Sequence, residues 1–435
     1  MTGDLHSRGL WEASAPAAPD TSTLVSSTTV DVAIIGAGFT GLSTALHLAQ
    51  AGVSTAVIEA RDIGHGGSGR NVGLVNAGLW TPPDVLIETL GPVYGPRLLQ
   101  LLGNGPALVF DLVKRHGMDC EAVHKGTLHC AVGSSGLQDI TERARQWQAL
   151  GAPVQVLDAD ETAQKIGCRA YQASLLDMRA GTIQPLAYAR GLARAALQAG
   201  CAIHTNSAVS AMEQVNGKWR LQTAGCGTVD AQWVVVATNA YSQLGGPFSR
   251  LREELVHLPY FNLATVPLDA SLRDSILPER QGAWDSRQVL SSFRFDEAGR
   301  LVFGSVGALR GAGLAIHRNW GRRALTRLFP QLAGVQFEYE WYGNIGMTTD
   351  AMPRFHQWGD KLISFSGYNG RGIAPGTVFG REIARLILGE VQLEDLPLPV
   401  SPATPIRFRA LRELGYEAGA CAVHALGARF QSSSG

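Results

Sequence analysis

Apolar and polar residues alternate in blocks along this chain, and the clearest block lies at residues 30–59, VDVAIIGAGFTGLSTALHLAQAGVSTAVIE. Residues 30–35 are a short β-branched apolar run of strand length that ends on Gly36. Leu42, Ala45, Leu46 and Leu48 then recur at helical spacing until Gly52 stops the helix, and residues 53–58 form a second strand ending on Glu59. The pattern predicts a strand, a helix and a parallel strand.

Beyond this unit the pattern predicts helices over 86–116, broken at Gly91, Gly95 and 103–106, then a strand at 126–132 and a polar helix at 137–150. DADETAQKI at 158–166 starts like a capped helix. A helix at 186–198 and strands at 201–206, 219–223 and 229–237 follow. VLSSFRF and RLVFGSV, joined by DEAG, read as a hairpin. The last helix expected in the first domain is at 377–388, before a proline-rich strap and a short basic helix at 407–414. This predicts an α/β protein with a discontinuous first domain at 30–80, 151–240 and 341–395. A second domain takes 81–150 and 241–340, a flexible leader 1–29, and a strap and tail 396–435.

The glycines at the first strand's end give this unit its chemistry. Gly36, Gly38 and Gly41 form G-x-G-x-x-G: one allows the tight turn, one lets a pyrophosphate approach the backbone, and one lets the helix pack on the strand. Gly36, Gly38, Phe39, Thr40 and Gly41 are the candidate phosphate contacts, where helix N–H groups meet an anion. Glu59, with Ala60 and Arg61 behind it, sits where a carboxylate accepts from ribose hydroxyls. The following run, RDIGHGGSGRNVGLVNAG at 61–78, stays extended where a nicotinamide enzyme would start its next helix. Gly67, Ser68, Arg70, Asn71, Gly73 and Leu74 are therefore candidates to run along a longer cofactor, and FAD fits better than NAD.

Three motifs carry a family resemblance: the glycine turn with Glu59 and GGSGRN, then VVVATN at 234–239, then SFSGYNGRGIAPGTVFG at 364–380. Together they resemble the flavin oxidases typified by sarcosine, glycine and D-amino-acid oxidases. The resemblance implies a Rossmann-like FAD-binding domain interleaved with a mixed β-sheet substrate-binding domain. It places Val209, Ala237, Thr238 and Asn239 at the adenosine end, and Gly370, Arg371, Gly372 and Ile373 at the flavin edge. Arg371 is the candidate to stabilise the reduced flavin's negative charge, and Tyr342, Asn344 and Tyr368 are candidates to line the substrate face. The implied reaction is oxidation of a small-molecule amine or amino acid at its C–N bond by hydride transfer. L-pipecolate is the first expectation and γ-glutamylputrescine the alternative; a non-catalytic flavin subunit is the reading from another class.

Some relatives attach FAD through a cysteine in the stretch matching 341–353; none occurs here, so FAD is expected to be non-covalent. Relatives also carry a carboxylate-binding lysine where this chain has Ala374, which directs attention to Arg294 or Arg287 for a substrate carboxylate. Lysine is scarce throughout, only Lys114, Lys125, Lys165, Lys218 and Lys361, so the flavin lacks the lysine with which relatives assist oxygen. The electron acceptor is oxygen or a quinone, with the quinone expected to react faster unless an arginine or His257 substitutes.

Composition narrows the remaining classes. Formal net charge is zero, so nothing favours nucleic acid or an anionic membrane. The six cysteines form no C-x-x-C pair or metal spacing, which predicts free thiols, no metal and a reducing compartment. No signal-peptide pattern or apolar run of about 20 residues is present, so the expectation is a cytoplasmic protein with no integral membrane segment.

Overall fold

The structure is a computed structural model that describes residues 8–243 and 246–427. Its first sheet is centred on Ser27–Ile35, paired in parallel with Thr55–Ile58 on one side and Thr228–Val236 on the other. Ala202–His204 extends the sheet beyond the former, and Leu362–Ser366 beyond the latter, with Arg354–Gly359 antiparallel at the edge. Val32, Ala33, Ile34 and Ile35 are all buried, as strands covered on both faces require.

Three helices cover one face: Phe39–Gln50, Pro185–Gln198 and Ile373–Ile387. The first and last come very close, because a Cβ on Gly380 would meet the Thr40 oxygen at 2.6 Å. Ser43 Oγ donates to Thr377 O at 2.7 Å and Thr44 Oγ1 to Gly380 O at 3.1 Å, so the crossing is also hydrogen-bonded. It joins the start of the cofactor domain to its end.

The second sheet has eight strands in the order Phe337–Met347, Val256–Thr265, Leu301–Val306, Ser291–Phe295, Gly282–Asp285, Thr127–Cys130, Ser174–Asp177 and Val154–Leu157. The predicted hairpin is its Ser291–Phe295 and Leu301–Val306 pair. A small two-stranded sheet pairs Leu74–Val75 with Gly181–Thr182.

Several boundaries differ from those expected. Val154–Leu157 and Ser174–Asp177 belong to the second sheet, because they pair with each other and then with Thr127–Cys130. Phe337–Met347 also belongs there rather than to a cofactor-domain segment starting at 341, because it is bound along its length to Val256–Thr265. The expected flexible leader is docked over its described part: Leu10–Ser14 is a helical turn whose Leu10 and Trp11 are fully buried, and Leu24 N donates to Ser207 Oγ. Residues 1–7 of that leader lie outside the described residues. Gly91, at φ 73°, does break the first cap helix, whereas Gly95 stays within it.

The strap crosses the cofactor domain, where Ser401 N donates to Phe355 O at 2.7 Å. The helix after it is longer than predicted, Arg409–Leu426, and packs on Ala312–Leu328 and Val256–Thr265. Residues 428–435 of the tail lie outside the described residues. All six cysteines are free, and no described helix is long and apolar enough to cross a membrane.

Candidate active site

A cavity of about 850 Å³ runs between the two sheets, from the carboxyl ends of the parallel strands to the cap. At its first end lie Gly36, Gly38, Phe39 and Thr40, with Glu59, Ala60 and Arg61 on one wall and Val209, Ala237, Thr238 and Asn239 opposite. The geometry there suits a dinucleotide. Gly36 has φ 106°, the helix begins at Gly38 with no side-chain cap, and Phe39 N–H donates to Ser68 Oγ at 3.1 Å. A Cβ on Gly38 would press on Ser68 Oγ at 3.0 Å and narrow the channel. A helix start facing a cavity turns its positive dipole end toward an anion such as a pyrophosphate.

Glu59 is held by the turn itself. Its carboxylate accepts from Ala37 N at 2.7 Å and from Arg61 N at 2.8 Å. Burial raises its pKa, and these N–H groups partly offset the shift.

The cavity's middle is walled by Gly67, Ser68, Arg70, Asn71 and Leu74. Asn71 holds this loop in shape, because its Nδ2 donates to Gly67 O and Ser68 O and its Oδ1 accepts from Gly73 N, so its side-chain donors are used within the loop. Gly73 does not line the cavity; its φ of 88° turns the chain beside Ile183 and Arg294. Gly41 is also outside the wall, because it sits against Gly36 O and Ile34, where the helix packs on the strand.

At the cap end are Gly370, Arg371, Gly372 and Ile373, with Tyr368 and Asn344. Tyr368 shares a 2.7 Å hydrogen bond with Thr40 Oγ1 and donates to Phe365 O, which ties the glycine loop to the first helix; burial raises its pKa. Tyr342 is buried but outside the cavity wall, among the residues of the second core. Arg371 is buried against two indoles that meet edge to face at 4.8 Å, lies 4.9 Å from Trp80 and 5.3 Å from Trp284, and donates to Ala77 O at 2.8 Å. Burial and then the nearby Arg143 charge lower its pKa to about 9.

Sequence reasoning missed the wall residues His129, Arg143 and Trp80, whereas Trp284 and Tyr260, also in the wall, stand among the aromatics of 241–335 that suggest a hydrophobic substrate pocket. The one signal in the sequence was a histidine inside the apolar strand GTLHCAV. His129 stacks on Trp284 at 3.5 Å, and burial holds its ring well below its ordinary pKa. Of the two arginines considered for a carboxylate, Arg287 lines the cavity. Arg294 is engaged elsewhere, paired with Glu121 at 3.1 Å and bonded to Phe295 O and Ile183 O. His257 lies outside the wall, bonded to Ala240 O at 2.7 Å, and no lysine lines the cavity among the described residues.

The family described as FAD dependent oxidoreductase (DAO) matches residues 31–386. The gamma-glutamylputrescine oxidoreductase of Escherichia coli is 31% identical over 422 residues, covering 93% of this chain and 96% of that one. A glycine oxidase from Geobacillus kaustophilus is 28% identical over 215 residues, covering 49% of this chain and 55% of that one. The crystal structure of glycine oxidase from Geobacillus kaustophilus superposes with a TM-score of 0.71 at 21% identity, over 86% of this chain and 99% of that one. That of L-proline dehydrogenase from P. horikoshii gives 0.68 at 17%, over 86% and 95%. With a dinucleotide groove opening into a cap chamber and a family match across both, the chain belongs to the DAO family of FAD dependent oxidoreductases and is an FAD enzyme.

Proposed function

We propose that the protein oxidises the C–N bond of a small amine or amino acid, with a γ-glutamylated amine such as γ-glutamylputrescine as first substrate and L-pipecolate as second. The observation that carries this is one continuous cavity joining the dinucleotide groove to an aromatic, arginine-bearing chamber. The 31% identity to gamma-glutamylputrescine oxidoreductase supports placing the γ-glutamylated amine ahead of L-pipecolate, and the family's enzymes support catalysis over a non-catalytic flavin subunit. Bound FAD would supply the hydride acceptor.

The chain's own residues bind, orient and exclude water. Gly36, Gly38 and the helix start would hold the pyrophosphate, with Glu59 at the ribose. Trp80, Trp284 and Tyr260 wall the chamber against water, which favours a neutral amine. Arg371 supplies a positive charge at the cavity's cap end. The cofactor is proposed to be non-covalent and the compartment the cytoplasm, in keeping with six free cysteines.

Anaerobic mixing of the purified yellow protein with γ-glutamylputrescine, L-pipecolate, L-proline and sarcosine tests the reading. Bleaching of the flavin is expected, fastest with γ-glutamylputrescine. No bleaching with any of the four would overturn it. Acid precipitation should leave the colour in the supernatant.

A further inference from the structure

We infer that the outward face of the C-terminal helix Arg409–Leu426 is a docking surface for an anionic lipid bilayer. The inference stands apart from the amine-oxidation reading, because none of the residues it uses lines the active-site cavity.

The helix is amphipathic in the reverse of the usual sense. Most of its charge is turned inward: Glu413 accepts from Arg252 Nη2 at 2.6 Å, from Arg409 Nη1 at 2.9 Å and from His257 N at 2.9 Å, and Glu417 pairs with Arg310. Its outer face is apolar. Leu411, Leu414 and Leu426 are 66%, 63% and 62% exposed, and Phe408, just before the helix, is 78% exposed. The exposed positions 415, 418, 419 and 422 on the same face are glycine or alanine. A surface helix ordinarily turns its apolar stripe to the core and its charges to water. Here four large apolar side chains stand in solvent along the length of an 18-residue helix, about 27 Å, and an exposed patch of that kind marks an interaction site.

Charge says what covers it. The chain's formal net charge is zero, yet this side of the molecule is basic. The helix packs on Ala312–Leu328, and residues 310–327 hold five arginines and no acid. Residues 407–426 hold three arginines and two glutamates, so the two segments together carry a formal +6. Both glutamates are spent on arginines of the protein itself. Arg322, Arg327, Arg407 and Arg412 are exposed and form no ion pair among the described residues. An apolar ridge rimmed by cations matches the interface of a bilayer with anionic head groups, where the side chains enter the acyl boundary and the guanidinium groups stay at the phosphates. A second copy of the chain fits worse, because a two-fold contact through this helix would set arginine against arginine. Docking of this kind is peripheral, since no described helix is long and apolar enough to cross a membrane.

Vesicle sedimentation of the holoenzyme tests this. The protein should pellet with vesicles containing phosphatidylglycerol and stay in solution with vesicles of phosphatidylcholine alone, and added sodium chloride should weaken the binding. Leu411→Ser combined with Leu414→Ser should lower the affinity for anionic vesicles on the order of tenfold, and so should Arg407→Gln combined with Arg412→Gln. Both variants should keep full flavin absorbance and unchanged turnover in solution, because all four side chains are exposed. The arginine variant carries the comparison if the serine variant does not fold. Binding to neither vesicle, equal binding to both, or unchanged affinity in the folded variants would overturn the inference. So would a wild-type dimer that ignores vesicles and is dissociated by Leu411→Ser with Leu414→Ser, which would assign the face to a second copy.

Discussion

Trp11 donates its indole N–H to the main-chain oxygen of Asn71 at 2.8 Å, bringing the chain's first described helix under the segment that walls the cavity's middle. Trp341 donates likewise to Arg70 O at 2.9 Å, and the two indoles meet edge to face at 5.4 Å. Consecutive carbonyls are therefore fixed from outside the cavity. Trp11→Ala should cost about 3–5 kcal/mol of stability, as large aromatic truncations in cores do. It should also speed FAD release, whereas Trp11→Phe should keep most of the stability and lose only the bond. Urea unfolding together with FAD release rates checks this; unaltered release in Trp11→Ala would show that the helix does not support the cofactor segment.

Two glycines of the turn should fail in different ways. A Cβ on Gly41 would overlap the Gly36 oxygen, a backbone atom that cannot swing aside, so Gly41→Ala should lower stability by roughly 1–3 kcal/mol. A side chain on Gly38 would meet only Ser68 Oγ and otherwise fill the channel, so Gly38→Val should yield a folded but colourless protein. Circular dichroism and flavin absorbance separate the two outcomes. A fully yellow Gly38→Val would contradict the proposed pyrophosphate position.

The C-terminal helix is fastened by a pair of buried imidazoles. His424 and His317 share a 2.8 Å hydrogen bond between their Nδ1 atoms, and Trp320 stacks on His424 at 3.9 Å. Burial lowers His317 to about 4; burial, His317 and Arg323 lower His424 to about 3. Both values lie below the unfolded value of about 6.5, so the unfolded state binds more protons. The helix docking is thus fully stable above about pH 6.5 and weakens as pH falls toward about 4. Hydrogen-exchange protection in 409–426, taken relative to the base-catalysed intrinsic rate that itself slows as pH falls, should drop between pH 7 and pH 5, and His317→Phe should blunt the change. Equal protection at both values would refute this.

We propose a quinone ahead of oxygen as acceptor, from a cavity wall that holds no lysine among the described residues. A compact cation beside the flavin stabilises developing superoxide, whereas Arg371 and Arg143 offer delocalised charges already bonded to carbonyls and Arg287 is paired with Asp285. Reduced enzyme should therefore reoxidise faster with a soluble quinone than with air-saturated buffer. Stopped-flow mixing decides this, and rapid reoxidation by oxygen would identify a peroxide-forming oxidase.

The cofactor half of the site was legible because its chemistry is local: Gly36 to Glu59 and 364–380 each put the needed atoms within one short segment. The cap half was not. His129, Arg143 and Trp284 meet only because Thr127–Cys130 pairs with Gly282–Asp285, a parallel register that no spacing in the sequence reveals. The docked leader went unread for a similar reason, since two buried side chains, Leu10 and Trp11, sit in an otherwise polar, proline-containing stretch. Val154–Leu157 and Ser174–Asp177, four residues each, are too short to announce which sheet they join.

The crossing of Phe39–Gln50 with Ile373–Ile387 sets the order in which the protein can be made. The first strand, its glycine turn and its helix leave the ribosome early, yet their packing partner and the strand Leu362–Ser366 are encoded more than 300 residues later. Until then the nascent βαβ unit has an open flank with no closing helix, and the groove it begins has no far wall. FAD can therefore be fully enclosed only after the strand Leu362–Ser366 and the helix Ile373–Ile387 have been synthesised.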